Sequence, residues 1–108
     1  MEPGFYRVHL EADDGDWLTL VAPLDESGRI DGSRQGPFLF KARWNGGEFY
    51  GELAVVDEPR FIWGADAPDS LTNITSVSLE EWAKVTIWQE DTRDSADFIF
   101  RVRSLVRL

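Results

Sequence analysis

Residues 98–108 read Phe98-Ile99-Phe100-Arg101-Val102-Arg103-Ser104-Leu105-Val106-Arg107-Leu108. The even positions are apolar except Ser104, and the odd positions carry Arg101, Arg103 and Arg107. Side chains alternate across a strand with period two, so this stretch is a strand with one face in a core. The parity predicts Phe98, Phe100, Val102 and Val106 inside and the arginines outside.

The same alternation recurs upstream. Tyr6, Val8 and Leu10 oppose Phe5, Arg7, His9 and Glu11, and Leu18 and Leu20 oppose Trp17, Thr19 and Val21. Asp13-Asp14-Gly15-Asp16 between them is a hairpin signal, because Gly accepts positive φ. Residues 38–43 form a third strand, and Asn45-Gly46 turns the chain into a fourth over 48–56. In the fourth, Phe49, Leu53 and Val55 share the core face with Phe40 of the third, and Gly51 marks a bend. Residues 60–63 and 84–89 are two more strands. Residues 23–36 and 64–78, rich in Gly, Pro and polar residues, read as long loops. Ser78-Leu79-Glu80-Glu81 matches a capping box, which predicts a one-turn helix near 79–83.

About seven strands at this turn spacing predict a single all-β domain over residues 1–108. A small barrel or a sandwich satisfies the pattern, since either hides strand edges. An α+β arrangement with one short helix is the alternative.

Composition narrows the chemistry. The chain has 108 residues, no Cys and one His, which excludes disulfides, thiolate chemistry and a multi-His metal centre. No transmembrane helix and no signal peptide are visible in the sequence, so the expected location is the cytoplasm. No phosphate-binding glycine loop and no nucleophile elbow occur, and His9 lies on an outward face beside Arg7 and Glu11. The expectation is a non-enzymatic protein without cofactor, catalytic residues or bound metal. The carboxylates at 11–16 lack the spacing of a calcium loop and read as a solvated hairpin tip.

Charge and aromatics remain as clues. The net charge is −9 from 20 acids and 11 cations. That disfavours nucleic acid and anionic membranes as partners and favours a basic protein. All 20 acids lie in residues 1–97, and the strand at 98–108 is a basic stripe that can neutralise acidic neighbours across the sheet. Five Trp exceed what so small a core requires, and exposed Trp beside acids is typical of interface anchors. The functional expectation is therefore an acidic protein-binding domain, of inhibitor or immunity type, that covers a basic partner surface. A glycan-binding module using exposed Trp, or a structural subunit of a phage-like assembly, are the alternatives. The oligomeric state is left open.

In an antiparallel meander, successive turns alternate between the two ends of the sheet. Turns 12–16, 44–47 and 64–78 then share one end. It gathers Asp13, Asp14, Asp16, Asp66 and Asp69 with Trp17, Trp44 and Trp63. Turns 23–36, 57–59 and 90–96 share the other end, with Trp88 alone. The first end is the expected binding surface. Trp44 is its expected anchor, and Trp44→Ala should weaken binding by about 2 kcal/mol or more with folding nearly unchanged.

Overall fold

The computed structural model describes residues 1–65 and 67–108, so Asp66 lies outside the described residues. Eight strands form a single antiparallel sheet: β1 (Gly4–Glu11), β2 (Trp17–Leu24), β3 (Phe38–Trp44), β4 (Gly47–Ala54), β5 (Arg60–Ile62), β6 (Ser70–Leu71), β7 (Lys84–Trp88) and β8 (Asp97–Arg107). Their order is β6-β5-β4-β3-β2-β1-β8-β7. Sequence neighbours pair throughout except β6 and β7, which end the order on either side, and β8 returns to pair with β1. The sheet is therefore an up-and-down meander curled into a nearly closed barrel. At the seam, Thr72 bridges Ile87, the Leu71 amide donates to Glu90 O (3.2 Å), and the Thr86 amide donates to Asn73 Oδ1 (2.8 Å).

Inward residues follow the predicted alternation. Tyr6, Val8, Leu10, Leu18, Leu20, Phe40, Leu53, Phe100 and Val102 are buried, and Val55 and Phe98 pack half-buried against them. Gly51 lies opposite Phe40 on β3. A side chain at Gly51 would collide with the Phe40 ring and the Ile62 carbonyl, so the absence of Cβ lets these groups close the wall.

Three expectations are corrected. Val106 is 43% exposed, not core. The β1–β8 register shifts between His9 and Leu10: His9 faces Ser104 while Leu10 faces Val102, which leaves Arg103 as an extra residue. A bulge reverses the inward parity beyond it, so half-buried Leu105 faces Val8 and Val106 turns out. Next, no helix forms at 79–83. The Ser78 hydroxyl donates to Ser27 O instead of capping Glu81, and Trp82 has φ 72°, outside helical geometry. The only helical turn among the described residues is a short 3₁₀ turn, Ile74–Ser76. The strands, expected to number about seven, are eight, the second loop containing the two-residue β6. Finally, neither long loop is without structure. Leu24 pairs with Ile30, and Asp25 Oδ1 accepts from the Ser27 amide, the Ser27 hydroxyl and the Arg29 amide.

The extra strand matters for function because it moves one turn. The connections at 12–16, 45–46 and 63–69 share one end, and the 89–96 hairpin joins them. The connections at 25–37, 55–59 and 72–83 share the other end. There the 72–83 segment crosses the barrel and buries Ile74 and Leu79, and the Leu79 amide donates to Gly28 O (2.8 Å). That end is plugged.

Candidate functional site

The end that is not plugged is floored by aromatics. Trp44, the last residue of β3, continues the inward series Phe38, Phe40 and Ala42. Trp63 stands two positions beyond inward Phe61. Trp44 packs edge-on to Trp63 (ring centroids 5.2 Å) and to Phe98 (4.7 Å), and tilted against Phe100 (5.5 Å). It thus reaches from β3 across the mouth to β8.

Two depressions open at this mouth. The first is a half-open apolar cup of about 150 Å³ lined by Trp44, Phe49, Trp63, Ala67, Pro68, Ser70 and Gln89. The Trp63 indole donates to Ser70 Oγ (2.8 Å), and the Ser70 hydroxyl donates to Gln89 O (3.1 Å). The second is a shallow groove of about 260 Å³ between the β1–β2 hairpin and the start of β8. Asp13, Asp14, Asp16 and Asp97 line it with Ala12, Phe98, Ile99 and Phe100. Trp44 lines the cup and touches Phe98 and Phe100, which line the groove, so a run of ring contacts joins the two.

The expected site residues divide. Trp44 and Trp63 meet in the cup, and Asp13, Asp14 and Asp16 meet in the groove. Asp13 and Asp14 are exposed. Asp16 is buried and accepts from the Asn45 amide (3.2 Å), which ties the two hairpin turns together. Its carboxylate is structural before it is anything else. Asp69 Oδ2 lies 3.2 Å from Arg60 Nε, at ion-pair distance but without hydrogen-bond alignment. Trp17 points outward on the barrel wall, 5.9 Å from the His9 ring and with Lys41 Nζ 5.9 Å from its centroid. It does not face the mouth. Trp44 is half-buried in its aromatic cluster, which removes the expectation that its truncation leaves folding unchanged.

Phe49, Phe98, Asp97 and Gln89 belong to the mouth but were not expected there. Phe49 and Phe98 carry the right parity, yet parity gives the face and not the height along the strand. Asp97 and Gln89 flank the hairpin that β6 moved to this end.

The outer wall is different chemistry. Lys41 lies between the rings of Trp17 and Tyr50, and Arg103 lies 4.4 Å over Trp82. Arg103 also pairs with Glu11 (3.2 Å), and Arg107 with Glu2 (3.5 Å). Two arginines of the β8 stripe thus meet acids, Arg103 across the sheet and Arg107 at the N-terminal segment, while Arg101 donates to the Trp82 carbonyl (3.4 Å). His9 bonds Thr19 Oγ1 through Nδ1 (2.8 Å) and Glu11 through Nε2 (3.0 Å). Among the described residues, no cluster of three His, Asp or Glu is arranged to hold a metal ion. Nor is any helix among them long and apolar enough to cross a membrane.

Comparison with protein-family models, with curated proteins and with solved structures found no match.

Proposed function

We propose that this chain is a non-enzymatic binding domain that covers a basic surface of a protein partner with the open end of its barrel. The observation that carries the proposal is the pairing, at one mouth, of an aromatic cup with a groove lined by four aspartates. Interface energy concentrates in aromatic anchors set in pockets, while charge governs encounter rate and register. The acids of the β1–β2 and β7–β8 hairpins supply the charge, and among the described residues of the connections at this end Arg93 is the only cation. The other end also carries acids, but Arg29 and Arg34 stand among them and its interior is filled. An inhibitory or immunity-type role in the cytoplasm fits such a surface by analogy of charge and size.

The glycan alternative gains less support. It calls for open, coplanar rings on one sheet face. Lys41 already lies over Trp17 and Tyr50, and Arg103 over Trp82.

The test is capture of a partner from extracts of the source cells, followed by association kinetics at two ionic strengths. A basic protein should be recovered. Its on-rate should fall several-fold from low to physiological salt while its off-rate changes little. Asp13→Asn with Asp97→Asn should slow association. A partner whose on-rate ignores both salt and these substitutions contradicts the proposal.

A further inference from the structure

The cup carries information about what it would hold. The rings of Trp44 and Phe49 stand at 72° and 82° to the Trp63 ring, with centroids 5.2 and 5.6 Å away. Aromatic faces carry negative potential, and rings set at right angles present that potential from more than one direction. A cavity near 150 Å³ holds one benzene-sized group and no more.

Two polar side chains line the cup, Ser70 and Gln89, and the Ser70 hydroxyl is already engaged. Ser70 Oγ accepts from Trp63 and donates to Gln89 O. A primary ammonium entering here would lose hydrogen bonds to water and find few replacements. A fully alkylated ammonium has no N–H to satisfy, and its methyl groups suit apolar walls. The negative charge of the surrounding hairpins favours a cation over a neutral group of the same shape.

We infer that the cup of Trp44, Phe49 and Trp63 binds an alkylated ammonium group. The group can come from a trimethylated lysine of the partner or from a free choline-like or betaine-like molecule. The inference rests on the open end being the binding end, but not on the partner being a protein.

The experiment is a titration followed by NMR through the indole N–H signals of Trp44 and Trp63. Choline is compared with 3,3-dimethylbutan-1-ol, its neutral carbon isostere. Choline should shift both signals and bind about tenfold tighter than the isostere, the size of a desolvated cation–π preference. Phe49→Leu keeps the cup apolar but removes one of its three rings, and should lower the preference. If that variant does not fold, the wild-type comparison of choline with its isostere decides alone. Equal binding of the two, or no indole shift with choline, overturns the inference. A peptide carrying trimethyl-lysine identifies the source: tighter binding than choline assigns it to a protein side chain, and weaker binding to a free small molecule. Choline failing while salt-dependent partner association persists removes this inference only. Choline binding with salt-independent association removes only the protein-partner proposal.

Discussion

The two ends of this barrel are built from similar amounts of acid and do opposite things with their apolar residues. At the closed end, the 72–83 segment lays Ile74 and Leu79 into the barrel, and Ile30 joins them from the 25–37 connection. At the open end, half-buried aromatics at the strand ends, Trp44, Trp63 and Phe98, form the floor. A plug makes stability. A floor of large rings leaves a recess whose walls can be offered to a ligand. Acid alone would not distinguish these ends, but the way each interior is finished does.

The difference predicts a gradient of mutational cost. Phe100→Ala, beneath the open floor, should cost about 3–5 kcal/mol in chemical denaturation, from lost transfer energy and the cavity left behind. Trp44→Ala should fall at the low end of that range, about 3 kcal/mol, because its ring braces Phe98, Phe100 and Trp63. A cost under 1 kcal/mol would mean that the mouth is not assembled as described. Leu79→Ala at the closed end should cost about 2–4 kcal/mol by the same terms. A negligible value would show that the 72–83 segment is a loose flap and that both ends are open.

Phe49→Ala should cost only about 1 kcal/mol, the ordinary effect of a substitution outside the fully packed core. The residue is half-buried at the lip of the cup. This is the variant that separates binding from folding. A loss comparable with that of Phe100→Ala would place Phe49 in the core and weaken the contrast between floor and plug.

Sequence pattern reveals the walls better than the ends. Alternation in β1, β2, β3 and β8 places Val8, Leu10, Leu20, Phe40 and Phe100 inside because each strand faces the core with a two-residue period. It misplaces Val106 because the bulge at Arg103 adds one residue without a compositional mark. It misses β6 because two residues, Ser70 and Leu71, make no periodic signal. That omission sends the 89–96 hairpin to the wrong end and hides Gln89 and Asp97 from the candidate site. Trp44 and Trp63 are recognisable as strand-end aromatics beside turns. Whether such a residue caps the interior, like Trp44, or lies on the outer wall, like Trp17, depends on its parity relative to the core.

The smallest effect lies in the turns of the closed end. Hydrogen bonds from the Ser27 hydroxyl and then the Arg29 amide hold the Asp25 carboxyl below its ordinary pKa, and the Ser33 hydroxyl and amide do the same for Asp31. A depressed folded-state pKa stabilises fully above the unfolded value and is lost as pH falls through the folded one. Acidification should therefore release the 25–33 turns locally, below the ordinary carboxylate range. Amide shifts of Ser27 and Ser33 on titration report it. Ser27 and Ser33 amide signals that move only within the ordinary carboxylate range would contradict it.

The central claim is that binding belongs to the open end. Amide chemical-shift mapping with a short basic peptide carrying one trimethyl-lysine tests it most directly, since both ends offer acid and only one offers the cup. The account predicts that the largest shifts fall at 13–16, 44–49, 63–64, 67–70 and 89–98, together with the indole signals of Trp44 and Trp63. Shifts centred on 25–31, 57–59 and 78–82 would contradict it.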